Sequence, residues 1–232
     1  MKLPISKFES AAETEWHRET AEFLAESFPK HFTVIGADTA ALERLSEHVV
    51  HIGRGYNIRA GNHLRRLAVA MVALGADLLD DPRFWPDVRR PMARYYRSEE
   101  MRINAVAEAA KLWNGYLWVA DSLPEFGARV AAAVITPPPE RPWPSAAVLP
   151  AHAAQMAPEL DQRFRDACHG RAADAGITAP QAIQAHHHLA LVHGLGWLTD
   201  PQHVTLQNLF AQACGPRDLS QKIEAFYQGF AA

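Results

Sequence analysis

The chain fits onto itself. Shifted by 119 residues (58 to 177), the stretch Ile58 to Pro82 falls in ungapped register on Ile177 to Pro201, with Ile58/Ile177, Ala60/Ala179, Gly75/Gly194, Leu79/Leu198, Asp81/Asp200 and Pro82/Pro201 identical. Leu64/Ile183 and Val72/Leu191 keep their apolar character. The matched residues have matched uses. Asn57 and Gly176 precede the two copies, and these residue types most readily take the left-handed conformation that ends a helix, with the following isoleucine folding back as in a Schellman stop. At the far end, Asp81-Pro82 and Asp200-Pro201 each read as an N-cap followed by proline at the first helical position. Each copy therefore reads as helix, tight stop, long apolar helix and sharp Asp-Pro restart, with Gly75 and Gly194 as places where a helix ends or another backbone comes close. Thr178 and Gln181 form a capping-box pair in the second copy, whereas Arg59-Ala60-Gly61-Asn62 offers none, so the first long helix should start more loosely.

The rest of the chain follows the same period. Ser6 with Glu9 opens an amphipathic helix whose stripe is Phe8, Ala12, Trp16, Thr20, Phe23 and Leu24, ending near Phe28-Pro29. Asp38 or Thr39 caps a second, with Leu42, Leu45, Val49 and Ile52 on one face. A third runs from about Ala60 to Leu79. Ser98, followed by Glu99 and Glu100 in the positive field of a helix start, opens another with Ile103, Val106, Ala110, Trp113 and Leu117 in line. No period-two alternation competes. The expected fold is all-α, a bundle of about nine helices, with Leu67, Met71, Leu74 and Leu78 buried in one half and Ile183, Ala190, Leu191 and Trp197 in the other.

Eight of the 16 prolines lie between Pro124 and Pro158, among them Pro137-Pro138-Pro139 and Pro142-Trp143-Pro144. Each removes a backbone donor and fixes φ, so no continuous helix crosses the middle of this stretch. The resulting division is an N-terminal helical unit over 1–120, a proline-rich connector over 121–150 that is either a stiff linker or a ligand for a partner domain, and a C-terminal helical unit over 151–232 packed on the first. Trp143 needs something to pack against.

Composition excludes several classes of function. With 232 residues, 48% hydrophobic and 21% charged, the chain can bury one sizeable core or two small ones. A formal charge of −3 disfavours nucleic acid or an acidic membrane as partner. Two cysteines, Cys168 and Cys214, make no disulfide framework. The first residues show no apolar run of the kind a signal peptide has, and nowhere do eighteen apolar residues follow one another, so the expected location is cytoplasmic, without membrane insertion.

Two local clusters stand out. Arg83, Arg89, Arg90, Arg94, Arg97 and Arg102 interleave with Phe84, Trp85, Tyr95 and Tyr96, the mixture that most often dominates protein interfaces, though it also suits a solvated surface or, less well with this charge, stacked bases. The expected partner-binding residues are Arg83, Trp85, Arg89, Arg90, Arg94, Tyr95, Tyr96 and Arg97, and Pro86 and Pro91 restrict the backbone as a preformed surface requires. Seven of 12 histidines fall between His152 and His203. Consecutive His186-His187-His188 diverge around a helix, but His186 and His193 share a face. They align with Leu67 and Leu74, so the second copy turns two imidazoles toward its core, where they are hydrogen-bonded, sensitive to pH, or ligands to zinc or haem iron with Cys168, His169 or Asp200. No nucleophile elbow, phosphate loop, HExxH or zinc-finger spacing is present. Cys168 and His169 are neighbours that point apart on a helix. No catalytic residue and no cofactor is expected.

Phe28-Pro29, Tyr56-Asn57-Ile58, Ala70-Met71-Val72-Ala73-Leu74-Gly75 and Asp81-Pro82 with Trp85 resemble, over residues 8–90, a group of bacterial helical accessory proteins encoded beside type VI secretion effectors. That resemblance implies a protein-binding adaptor or accessory chaperone for a secreted effector, or an immunity protein that neutralises a toxin. A rival from another class is a metal- or haem-dependent helical enzyme using His186 and His193.

Overall fold

A computed structural model describes residues 5–118, 123–136, 145, 148–149 and 156–231. Among them there is no strand, and eleven α-helices follow one another: α1 (Ile5–Ser27), α2 (Pro29–Ile35), α3 (Thr39–Gly55), α4 (Gly61–Leu74), α5 (Arg90–Met92), α6 (Glu99–Trp118), α7 (Leu123–Ile135), α8 (Pro158–Asp174), α9 (Pro180–His193), α10 (Val204–Ala211) and α11 (Pro216–Gln228). Short 3-10 turns occupy Pro82–Phe84 and Pro201–His203. The protein is all-α. Eleven among the described residues differ from the about nine expected from the sequence; α2 is set off from α1 where Pro29 follows Phe28, and α5 has only three residues.

Helix starts follow local chemistry, with two departures. Asp38 accepts the Ala41 N–H at 2.8 Å, and Ser98 Oγ accepts that of Met101 at 3.2 Å, as their positions before apolar runs imply. Thr178 does not cap α9: the helix starts at Pro180, its N-cap is Ala179, and no side chain bonds its first turn. Pro180 lacks an N–H to be capped and already holds a helical φ. The start of α4 is held from outside, because Glu99 of α6 accepts the N–H groups of Arg59 and Ala60, both at 3.1 Å.

The stops correspond residue for residue. Ile58 N–H donates to Gly53 O at 2.8 Å and Ile177 N–H to Ala172 O at 2.9 Å, closing Schellman turns through Asn57 (φ 53) and Gly176 (φ 70). Both α4 and α9 are 14 residues long and end at a glycine of positive φ, Gly75 (94) and Gly194 (85). The third helix therefore stops at Leu74 rather than Leu79, because Gly75 leaves the helical region. Asp81 accepts from Arg83 N and Asp200 from Gln202 N, each at 3.0 Å.

One apolar core runs through the described residues. Helix α4 packs on α3 and α6, α9 packs on α7 and α8, and the two long helices touch each other. Leu67, Met71, Leu74, Leu78, Ala190, Leu191 and Trp197 are buried, while Ile183 is half-buried. Each buried leucine contributes about 2 kcal/mol of apolar burial. The stretch 121–150 is not all connector. Pro124 sits in the first turn of α7, where its missing N–H costs nothing, and the Phe126, Val130 and Val134 face of this helix is buried. Helix α7 packs closely on α11 through Gly127, where a Cβ would lie 2.3 Å from that of Tyr227. Pro137-Pro138-Pro139, Pro142, Trp143 and Pro144 lie outside the described residues. No helix among those described is long and apolar enough to cross a membrane.

Candidate functional site

Helices α4 and α6 pack together, and each turns small side chains toward one space: Ala70 and Ala73 on α4, Ala107 and Ala110 on α6. Residues three apart share a helix face, so four alanines leave room that larger side chains would fill. Phe28 at the start of α2, Val192 near the end of α9 and Phe230 after α11 complete an apolar wall around a cavity of about 980 Å³. That volume lies in the range of small-molecule sites.

Its polar groups fall into two sets. At the margin stand the exposed cations Lys30, Arg66 and Lys111, with one carboxylate, Glu125. The three cations form no ion pair among the described residues. The inner set is the buried His193 and His203 with the half-buried His31. His193 Nε2 lies 2.6 Å from the Tyr227 hydroxyl, and its ring centroid is 4.5 Å from that of His203. His31 Nε2 and His203 Nδ1 are buried with no hydrogen-bond partner. Burial drives the His203 pKa down to about 3, helped by the nearby His31. Burial also holds His193 well below the ordinary histidine range and lowers His31, against a smaller opposing pull from Gln202 and Asp200. All three rings are neutral at pH 7. The Tyr227 phenol is pushed up by burial, so the His193–Tyr227 pair stays uncharged and offers neither a strong base nor a phenolate.

The histidine triplet lies in the core. His186, His187 and His188 are all buried, not only the face shared with His193. His186 packs against Trp197 and His187 against Phe164. Burial lowers His186 and His188 to about 4 and holds His187 well below the ordinary histidine range. No group of three or more His, Cys, Asp or Glu among the described residues is arranged to hold a metal, so His186 and His193 do not converge with Cys168, His169 or Asp200. Cys168 is buried, and burial, with Asp81 nearby, raises its thiol pKa; His169 is exposed.

The arginine-aromatic stretch divides into two populations. Arg83, expected at the surface, is 1% exposed. Its guanidinium binds Asp81 Oδ2 at 2.7 Å, donates to Leu191 O at 2.8 Å and Ala190 O at 3.0 Å, and stacks 4.0 Å from the Phe164 ring centroid. Asp81 fixes it inward, where it satisfies carbonyls near the end of α9. Arg102 is also buried, donating to the carbonyls of Tyr56, Met92 and Asn57. The surface keeps Trp85, Arg90, Tyr95 and Tyr96 exposed, with Arg89, Arg94 and Arg97 half-exposed. Arg89 lies 4.9 Å over the Trp85 ring and 3.9 Å from Asp80.

Sequence reasoning missed the cavity. Its only signal is the alanine spacing at 70/73 and 107/110, and this reads as ordinary packing until α4 and α6 are known to face each other. No protein-family model, curated protein or solved structure matches the chain.

Proposed function

We propose that the protein is a non-enzymatic binding protein whose cavity takes a small, largely apolar molecule. The carrying observation is the space of about 980 Å³ left between alanine-lined faces of α4 and α6. The space is walled mostly by apolar side chains and opens past exposed ones, so an apolar ligand entering it would be removed from water. Ala73→Trp places an indole across the alanine-lined wall of the space. Calorimetric titration with 1-decanol should give saturable binding to the natural chain and none to this variant. Equal heats from both would refute the site.

A second reading keeps the expectation of a protein-binding adaptor or accessory chaperone for a secreted effector, or an immunity protein. Exposed Trp85, Tyr95 and Tyr96 beside Arg89 and Arg90 support it, being the residue types that carry interface energy. A pull-down in which the combined change Trp85→Ala, Arg90→Ala, Tyr95→Ala and Tyr96→Ala leaves every partner bound would remove it. The matched stops, helix lengths and Asp-Pro turns support a further proposal, that residues of about 6–116 and 150–232 are two copies of one ancestral helical unit.

A further inference from the structure

Large side chains stay in water along one short stretch. Trp85, Tyr95, Tyr96 and Met101 are four of the seven large hydrophobic residues left exposed among those described, and Tyr96 is 81% exposed. The charge of the same stretch opposes that of the chain. Residues 85–98 hold Arg89, Arg90, Arg94 and Arg97 against a single carboxylate, Asp87, in a chain whose total is −3. Arg89 is engaged, lying over Trp85 and 3.9 Å from Asp80. The side chains of Arg90, Arg94 and Arg97 make no ion pair and no hydrogen bond among the described residues.

The backbone beneath these side chains is held in place. Arg90 N–H donates to Trp85 O in one π-helical turn that runs into α5, a kind of turn frequent at functional sites. Val88 and Met92 anchor it in the core. Arg102 donates to the Met92 carbonyl and lies 5.6 Å from the Tyr95 ring centroid, which ties the aromatic pair to the end of α5. Tyr95 N–H donates to Ala93 O and Arg97 N–H to Arg94 O, closing the turns that follow. A surface ordered in advance loses little entropy when it binds.

We infer that this surface takes a short, extended acidic segment of another protein, with an apolar side chain set between its carboxylates. This rests on the second reading above, that the chain binds a protein partner. Arginine forks match carboxylates through two parallel hydrogen bonds, and Trp and Tyr rings bury an apolar side chain placed among them. Helical rise sets the length of the segment. At roughly 1.5 Å per residue, Trp85 and Tyr95 are on the order of 15 Å apart, which about five extended residues span. A nucleic-acid strand fits less well, because it runs past this span onto the net negative remainder of the chain. A short segment feels little beyond a screening length of about 8 Å.

The test uses the full chain and labelled probes: the peptides EDEFEDE, EDESEDE and KKKFKKK, and a short single-stranded oligothymidylate. In fluorescence anisotropy at low salt, EDEFEDE should bind about tenfold more tightly than KKKFKKK and about fivefold more tightly than EDESEDE. The first advantage should shrink as salt is raised and vanish in the combined variant Arg90→Gln, Arg94→Gln, Arg97→Gln. The second should vanish in Trp85→Ser with Tyr96→Ser. Urea midpoints of both variants should match that of the natural chain, since these side chains lie at the surface. Equal affinity for EDEFEDE and KKKFKKK, tighter binding of the oligothymidylate than of either acidic peptide, or binding of no probe overturns the acidic partner. Equal affinity for EDEFEDE and EDESEDE overturns the apolar anchor. If the change of Trp85, Arg90, Tyr95 and Tyr96 to alanine still releases a partner in the pull-down, the protein-binding reading stands without this inference; if every partner stays bound, both fall.

Discussion

Gly75 and Gly194 meet backbone to backbone at the ends of α4 and α9. A Cβ on Gly75 would lie 2.6 Å from the His193 carbonyl oxygen and 3.0 Å from the Gly194 Cα; one on Gly194 would lie 2.4 Å from the Leu74 oxygen and 2.9 Å from the Gly75 Cα. The contact is reciprocal, and both residues also have positive φ. Gly75→Ala and Gly194→Ala should each cost about 3 kcal/mol or more, since backbone strain and overpacking act together. Urea unfolding checks this, with Gly170→Ala as control because a Cβ there meets nothing within 4 Å.

The Asp-Pro turns cross the same contact in opposite directions. Arg83 reaches the Ala190 carbonyl of α9, and Gln202, its counterpart in register, reaches the Met71 carbonyl of α4 at 3.2 Å. Both side chains also bind the aspartate two residues earlier. The charges differ: Asp81 neutralises a buried guanidinium, whereas Asp200 has an amide and the Ala76 N–H, and its burial raises its pKa. Asp81→Asn should therefore cost about 3–5 kcal/mol by taking the carboxylate away from the buried Arg83 guanidinium. Asp200→Asn should cost less, about 1–3 kcal/mol, since its amide nitrogen replaces an oxygen that accepts from the Ala76 or Gln202 N–H groups but no buried charge is left behind. Equal losses in thermal or urea unfolding would show that the buried charge is not what distinguishes the turns.

These elements were legible because they are local. Asn57, Gly176, Gly75, Gly194 and the two Asp-Pro steps act on neighbouring backbone, and their chemistry can be read without knowing what packs where. Arg83 and Glu99 were not legible in the same way. Arg83 looked like one of a row of surface arginines, and only the α9 carbonyls placed opposite turn it inward. Glu99 read as a favourable charge at its own helix start, while its hydrogen bonds go to another helix. The cavity is the extreme case, since it is a property of what alanine lacks and exists only once two helices are set face to face.

Glu99 gives a direct measure of such long-range capping. Its Oε2 accepts the Arg59 and Ala60 N–H groups and lies 3.1 Å from His63 Nδ1. Burial works to raise its pKa, but hydrogen bonds from His63, Ala60 and Arg59 outweigh that and hold it below the usual range. Glu99→Ala should cost about 1 kcal/mol, as removal of an N-cap does, and increase amide exchange at the start of α4. Unchanged exchange at Arg59 and Ala60 would place the cap elsewhere.

The buried histidines make the fold sensitive to acid, with a sign that can be worked out. His186 and His188 are lowered to about 4, His203 to about 3, and His187 and His193 well below the unfolded value of 6.5. Above 6.5 neither state is protonated at these rings and stability does not depend on them. As pH falls below 6.5, the unfolded chain takes up protons that the folded one refuses, so stability is lost progressively down to the folded pKa values. Each histidine contributes a slope of up to about 1.4 kcal/mol per pH unit. Asp77 and Asp200, raised chiefly by burial, act in the opposite direction nearer their own range. Urea midpoints should therefore be level between pH 8 and 7 and fall steeply between 6 and 5. His186→Phe, which keeps an aromatic ring against Trp197 without a titrating nitrogen, should make that fall shallower by one proton's slope; a profile as steep as that of the natural chain would show that His186 is not among the rings that drive it.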